Sequence, residues 1–512
     1  MCKLPQILIL STLLVASGCA TVDFDYPKTE SFALTDTADT HLGRQFADDL
    51  ATRPADQSGF YTLPDAIGSL GLRLLLAERA ERSIDAQYFL IHDDLVGKAF
   101  IRALLQAANR GVRVRLLIDD VQLSGYDKGL AALDAHDNFE VRIFNPFANR
   151  RVRGLDALRF SQITRRMHNK SFTVDNQITL IGGRNIADEY FGARSDEIFT
   201  DLDVVAIGSI VPKVSTMFDT YWNHATSLPI TAFADAPEDA DQALASLDDS
   251  LTEAMADIEA SRYAEALKSS ILNYIQSDAS AFTWAKYELV FDSPDKVVPK
   301  AADESASITT QMRDSIGEVE EEMFVVTPYF VLTKDNIDAF RALRDRGVKV
   351  TVVTNSLASN NHAVSHSGYI PVRKPLLAMG VELYELRARI DLPADETQDV
   401  QNGKTTLHAK TFAVDRDKLF IGSFNWNQRS ANRDTELGTV IYSPELATRL
   451  VERITAVLPQ WTFQVFLNED GKLRWRGFDD GKEVILEKEP QSGYWRRFSA
   501  NTMRWAPIKG QL

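Results

Sequence analysis

The chain carries one pattern twice, 240 residues apart (408 − 168). Met167-His168-Asn169-Lys170-Ser171-Phe172-Thr173-Val174-Asp175 is answered by Leu407-His408-Ala409-Lys410-Thr411-Phe412-Ala413-Val414-Asp415. Further on, Ile181-Gly182-Gly183-Arg184-Asn185 is answered by Ile421-Gly422-Ser423-Phe424-Asn425. In both copies the lysine lies two, the aspartate seven and the asparagine 17 positions after the histidine (185 − 168 and 425 − 408). Agreement at so many fixed offsets means one structural unit built twice, and that constrains the architecture more than any composition can.

Upstream of each motif the repetition continues more faintly. Ser83 to Leu90 is a β-rich run, followed by a helical pattern over Gly97 to Asn109, then Gly111 and the apolar run Val112 to Ile118. Met323 to Val331, Asp335 to Arg346, Gly347 and Val348 to Thr354 repeat that order. Strand, helix, glycine turn, strand is a βαβ unit with a parallel pair buried on both faces. The sequence therefore predicts an α/β protein. Two similar halves, 61–228 and 286–459, pack with pseudo-twofold symmetry around one active site. Between them, 229–285 is rich in Ala, Asp and Glu and predicts a solvated helical insert. After them, 460–512 alternates around Asp470-Gly471 and Asp480-Gly481, which predicts a small antiparallel β appendage.

The N-terminus reads as an address. Lys3, the apolar run Ile7 to Val15 and Ala16-Ser17-Gly18-Cys19 have the layout of a secretory signal, too short to remain as a spanning helix. Small residues directly before a cysteine resemble the bacterial lipobox. That implies cleavage after residue 18, lipid on Cys19 and a tether to an envelope membrane, facing the periplasm; a plain signal peptide is the alternative. Residues 19–60 read as a flexible polar spacer. Cys2 and Cys19 are the only cysteines, so nothing downstream can form a disulfide or a thiolate metal cage. With 56 basic against 72 acidic residues the net charge is −16, a surface that repels phosphate backbones, so no nucleic-acid partner is expected.

The repeated residues suit phosphorus chemistry. On a strand, His and Lys at i and i+2 point to one face. Asp175-Asn176 and Arg416-Asp417 read as turns. The glycines after them let backbone approach a ligand, and Asn185 and Asn425 sit where a helix begins, whose N–H groups favour anions. Brought together, two copies make a symmetric cage for one phosphate. One neutral imidazole attacks phosphorus while the other, protonated, gives its proton to the leaving oxygen. Lys170 and Lys410 offset charge on the non-bridging oxygens, with Asn185, Asn425 and the Ser423 hydroxyl as further contacts. An acidic residue on the far nitrogen would hold each ring in its useful tautomer; Asp203 and Glu436 are the candidates. Asp175 and Asp415 are expected to brace the loop.

His168-x-Lys170-x4-Asp175-x6-Gly182-Gly183-x-Asn185 and His408-x-Lys410-x4-Asp415-x6-Gly422-Ser423-x-Asn425 resemble the paired HKD signatures of the phospholipase D superfamily, over roughly Leu63 to Pro459. Gly183 stands where that family usually has serine. The resemblance implies a phosphohistidine intermediate, no metal and no cofactor, with His168 as nucleophile and His408 as general acid; the reverse assignment stays open. Asn360 to Tyr369, Glu489-Pro490, Trp495-Arg496-Arg497-Phe498 and Pro507-Ile508 are similar to bacterial cardiolipin synthases of the C type. That implies a monomer moving a phosphatidyl group between glycerophospholipids at a membrane surface, with any helper protein unidentified. Hydrolysis to phosphatidic acid and a nuclease-type phosphodiesterase are the alternatives. His362 and His366 follow a strand end, where ligands gather in α/β sheets, and are candidates for headgroup binding. Lacking a third ligand, they do not read as a metal site. His41, His92, His136 and His224 read as surface or capping residues, and Tyr221, Trp222 and Trp284 as core.

Overall fold

The computed structural model describes residues 21–150, 163–193, 197–259, 281–298, 306–390, 403–479 and 481–504. The signal-like segment, Cys2, Cys19, residues 260–280 of the insert and Pro507-Ile508 lie outside the described residues.

Each half is a mixed sheet grown outward from three parallel strands. In the first half Ser83–Tyr88, Arg113–Asp119 and Phe139–Phe144 run parallel. The hairpin Ser171–Val174 and Ile178–Gly182 adds antiparallel to Ser83–Tyr88, followed by Asp203–Gly208 and Gln57–Leu63. The second half repeats this with Glu322–Val326, Lys349–Asn355 and Glu382–Leu386 parallel, then the hairpin Thr411–Val414 and Lys418–Gly422, then Leu437–Tyr442 and Thr283–Phe291. Gln57–Leu63 pairs with Thr283–Phe291, so the halves join in one 18-stranded sheet. The two βαβ turns match in detail. Helices Leu95–Asn109 and Lys334–Asp345 both end on an arginine cap and then a left-handed glycine, Gly111 (φ 91°) and Gly347 (φ 89°).

Both motif hairpins turn through two left-handed residues, Asp175-Asn176 (φ 50° and 50°) and Asp415-Arg416 (φ 51° and 51°). The second turn is thus centred one residue earlier than Arg416-Asp417. Turning there aims each aspartate at the start of the neighbouring strand. Asp175 accepts from the N–H groups of Arg82 (2.7 Å) and Ser83 (2.9 Å), and Asp415 from those of Glu321 (2.7 Å) and Glu322 (2.9 Å). These are bracing contacts, as expected.

Three apolar cores follow from this layout. Outer helices cover one core in each half. The third lies between the halves, where helices Ile210–Trp222 and Pro444–Trp461 pack and where Tyr221 and Trp222 are fully buried. Trp284 instead lies half-buried against the first half, with the Arg53 guanidinium 5.1 Å from its ring.

Two segments depart from the sequence expectation. Residues 21–56 are docked rather than a free spacer. Helix His41–Thr52 buries Leu42 and Phe46, four apart on one face, each burial contributing about 1.5–3 kcal/mol. Ahead of it, the Ala33 N–H donates to Asp219 (2.9 Å) and Arg115 donates to the Ser31 carbonyl (2.9 Å). Nor is the insert free in solvent: helix Ala240–Glu259 packs Leu244, Leu247 and Leu251 on helices Leu95–Asn109 and Asp127–Asp134. The C-terminal β appendage is antiparallel, as expected, and extends the second half's sheet: Thr462–Leu467 pairs with Glu382–Leu386, and Leu473–Asp479 and Lys482–Leu486 follow. Helix Tyr494–Met503 then lies on helix Ala363–Ala378.

Candidate active site

The two motifs meet where the halves cross-pair. The His168 N–H donates to the Thr435 carbonyl (2.8 Å), and the His408 N–H donates to the Thr200 carbonyl (2.8 Å). Each histidine therefore leaves its own half, just ahead of its hairpin, with its backbone tied to the other half. Both rings line a single cavity of about 330 Å³, which Asn185 and Asn425 also line.

The carboxylates cross over as well. His168 Nδ1 lies 2.9 Å from Glu436 of the second half, and His408 Nδ1 lies 2.6 Å from Asp201 of the first. Glu436 is the expected residue. Asp203 is not: it is buried two residues away, accepting from Ser69 (2.7 Å) and paired with Arg73 (3.0 Å) and Arg184 (3.2 Å). The signal for Asp201 lay in the repeat itself. Gly182 is in register with Asp203 and Gly422 with Gly438, so Asp201-Leu202 corresponds to Glu436-Leu437.

That correspondence also explains Gly183. In the second half the Ser423 hydroxyl donates to Glu436 and accepts from the Leu437 N–H (3.0 Å), so Ser423 positions a carboxylate. In the first half Asp201 reaches the Leu202 N–H itself (2.8 Å), and a Cβ on residue 183 would sit 2.2 Å from Asp201 Oδ1. Serine with glutamate in one half is matched by glycine with the shorter aspartate in the other.

The lysines lie buried behind the rings. Lys170 Nζ donates to the His168 carbonyl (2.7 Å), while Lys410 Nζ bonds the His408 carbonyl and lies within 2.9 Å of both its ring nitrogens. Burial, reinforced by Lys170 and Lys410, holds His168 well below the usual imidazole range. Burial and Lys410 take His408 down to about 3, against the pull of Asp201. Burial also lowers Lys170 to about 7 and Lys410 to about 8. Among the acids, burial raises Glu436 despite Lys170. For Asp201 burial is outweighed by His408 and Lys410, so its carboxylate stays well below the ordinary range.

Aromatic rings fix the imidazoles. Phe89 meets His168 edge-on (5.1 Å), and His408 is held between the face of Phe199 (5.4 Å) and the edge of Tyr190 (5.0 Å). Asn185 donates to Tyr190 (2.8 Å); both asparagines stand in loops ahead of short helices rather than at the caps. On the second-half wall stand Tyr329, His362 and Arg429, the last paired with Asp434 (2.7 Å). His366 is absent from this wall. Residues 363–378 are helical, and one turn past His362 the ring is buried 3.6 Å from Glu489 and against Tyr369. Among the described residues, His92, Asp94 and Glu189 bring three ligand-type atoms within 4.8 Å of one another, with no further sign of an ion.

Two HKD motifs converging on one cavity across a duplicated α/β sheet define the phospholipase D type of phosphodiester enzyme. The chain belongs to this superfamily: the family model "Cardiolipin synthase, PLD-like domain" matches residues 75–222 and 312–458. It is 38% identical over 472 residues to cardiolipin synthase C of Escherichia coli K12, covering 90% of this chain and 98% of that protein. It is 24% identical over 386 residues to cardiolipin synthase 2 of Bacillus anthracis, covering 73% of this chain and 60% of that protein. In fold it resembles the phosphatidylserine synthase of Haemophilus influenzae Rd KW20 (TM-score 0.57, 12% identity), over 93% of this chain and 98% of that one.

Proposed function

We propose that this protein is a phosphatidyltransferase of the cardiolipin synthase kind, acting on glycerophospholipids through a phosphohistidine. One observation carries the proposal: each Nδ1 is held by a carboxylate from the opposite half, and the two rings so held line one shared cavity. Neutral His168 forms the N–P bond as the P–O bond to the donor headgroup breaks, and His408 gives the leaving oxygen its proton. In the second step His408 takes the proton of an acceptor lipid hydroxyl, whose oxygen attacks phosphorus and releases His168. The division of roles follows the acids: ionised Asp201 stabilises an imidazolium at His408, while Glu436, raised by burial, leaves His168 neutral. Substrate arrival supports the same division, because the diester anion raises the pKa of His408 from its empty-site value.

The partner in this reading is a membrane surface, reached through lipidated Cys19 on the periplasmic side of the envelope. Helix Tyr494–Met503 supports that surface. Tyr494, Trp495 and Phe498 are 66%, 76% and 54% exposed, a bilayer-interface composition. Arg496 pins this helix to the Leu357 carbonyl (2.9 Å), just ahead of the cavity residues Asn361 and His362. The test is incubation of the purified protein with phosphatidylglycerol vesicles. Cardiolipin with released glycerol is expected. Phosphatidic acid alone would make the protein a hydrolase, and robust DNA cleavage at low salt would overturn the lipid assignment.

A further inference from the structure

A second cavity, of about 300 Å³ and mostly apolar, adjoins the catalytic one. Leu116 and Ile118 of the parallel strand form its floor. Ile101, Leu130, Leu247 and Leu251 of the three surrounding helices form its walls. The two cavities touch at one place. His92 lines both, and Gln122 of the catalytic cavity is followed directly by Leu123 of the apolar one. There His92 Nε2 and Gln122 Oε1 lie 3.0 Å apart, a polar pair at the boundary. Both cavities open at the carboxyl ends of the parallel strands, where α/β sheets bind ligands.

We propose that the apolar cavity takes one fatty acyl chain of the phospholipid whose phosphate lies between His168 and His408. The proposal rests on the phosphatidyltransferase reading and specifies how its donor lipid is held. Its mostly apolar lining opens towards solvent, a surface that gains by burial against another apolar group. Among the described residues no buried charge faces the cavity to recognise a headgroup; its ionic pair, Asp93 with Lys98 (3.4 Å), lies at the exposed edge. Continuity with the phosphate site selects the lipid's own chain as occupant. The acidic helix Ala240–Glu259, which supplies Leu247 and Leu251, thereby gains a function as the outer wall of the lipid site.

Gly129 makes the idea testable. It lines the cavity from helix Asp127–Asp134, and a Cβ there meets nothing within 4 Å, so larger residues fit the helical backbone without strain. The experiment compares kcat/KM for dihexanoyl and dioleoyl phosphatidylglycerol in wild type, Gly129→Leu and Ile101→Phe. Each methylene kept out of an apolar site costs about fourfold. A side chain displacing about four methylenes should therefore lower dioleoyl turnover roughly 10²-fold, with dihexanoyl turnover held within about twofold. Equal loss on both substrates in Gly129→Leu and Ile101→Phe, or no loss on either, overturns the acyl-chain assignment while leaving the phosphatidyltransferase reading intact. A wild-type protein that turns over neither lipid defeats both.

Discussion

Asp201 and Asp203 are two residues apart, equally buried and chemically identical, and the structure assigns them opposite duties. Asp201 holds the Nδ1 of His408 at 2.6 Å, whereas Asp203 holds Arg73 and Arg184. Asp201→Asn keeps the shape and removes the charge that steadies a protonated His408. Charges about 4 Å apart at an effective dielectric constant of about 20 interact by about 4 kcal/mol. At about 1.36 kcal/mol per tenfold, that predicts a fall in kcat of roughly 10³-fold. KM should move little, because Asp201 does not line the cavity. Asp203→Asn should do the reverse, leaving two buried guanidiniums without their counter-charge at a cost of about 3–5 kcal/mol of stability. Its thermal midpoint should drop while kcat per folded molecule stays within a few-fold of wild type. Steady-state kinetics on a short-chain phospholipid, paired with thermal melts, separates the two. A large kcat loss in Asp203→Asn with a near-normal Asp201→Asn would refute the assignment.

Restoring the family serine should be harmful here: Gly183→Ser puts a Cβ 2.2 Å from Asp201 Oδ1 and should cut kcat about 10²-fold or more. Adding Asp201→Glu, which recreates the Ser423–Glu436 pair, should recover part of that loss, and a double variant worse than Gly183→Ser would count against the exchange. In the free enzyme Lys170 and Lys410 lose their protons near 7 and 8, so kcat/KM should fall as pH rises through that window. The same limb in kcat should lie higher, since the bound anion favours the charged amines; a profile flat to pH 9 would contradict this. Trp495→Ala and Phe498→Ala should each weaken sedimentation with anionic vesicles roughly 10- to 100-fold, at about 1.5–3 kcal/mol per buried aromatic, without changing turnover of a soluble short-chain substrate. Unchanged vesicle binding would remove that helix from the membrane contact.

The duplicated motif made most of the site legible before any coordinates. Residues at fixed offsets from a histidine occupy fixed places on a hairpin, so His168, His408, both lysines and both asparagines fell into place together. What escaped depended on partners distant in sequence. Asp203 looked suitable because it opens a strand, but the choice required registering the strand after each motif against its copy, which selects Asp201. Ser423 looked like a phosphate ligand because a hydroxyl beside a phosphate cage usually is one; its partner Glu436 shows only in three dimensions. His362 and His366 both follow a strand end in the sequence, yet the segment after His362 is a helix that turns His366 towards Glu489. The N-terminal segment carried its own signal in Leu42 and Phe46, one helical turn apart, beneath a polar composition that suggested a spacer.

Covalent chemistry at one histidine is the core of this account. The enzyme should be denatured at mildly alkaline pH, where an N–P bond survives, during turnover of dihexanoyl phosphatidylglycerol, in wild type and in His408→Ala, and its peptides mapped at that pH by tandem mass spectrometry. A phosphatidyl adduct on His168 is expected, with none in His168→Ala. An adduct on His408 would reverse the two roles, and adduct-free peptides under conditions of active turnover would contradict the double-displacement mechanism altogether.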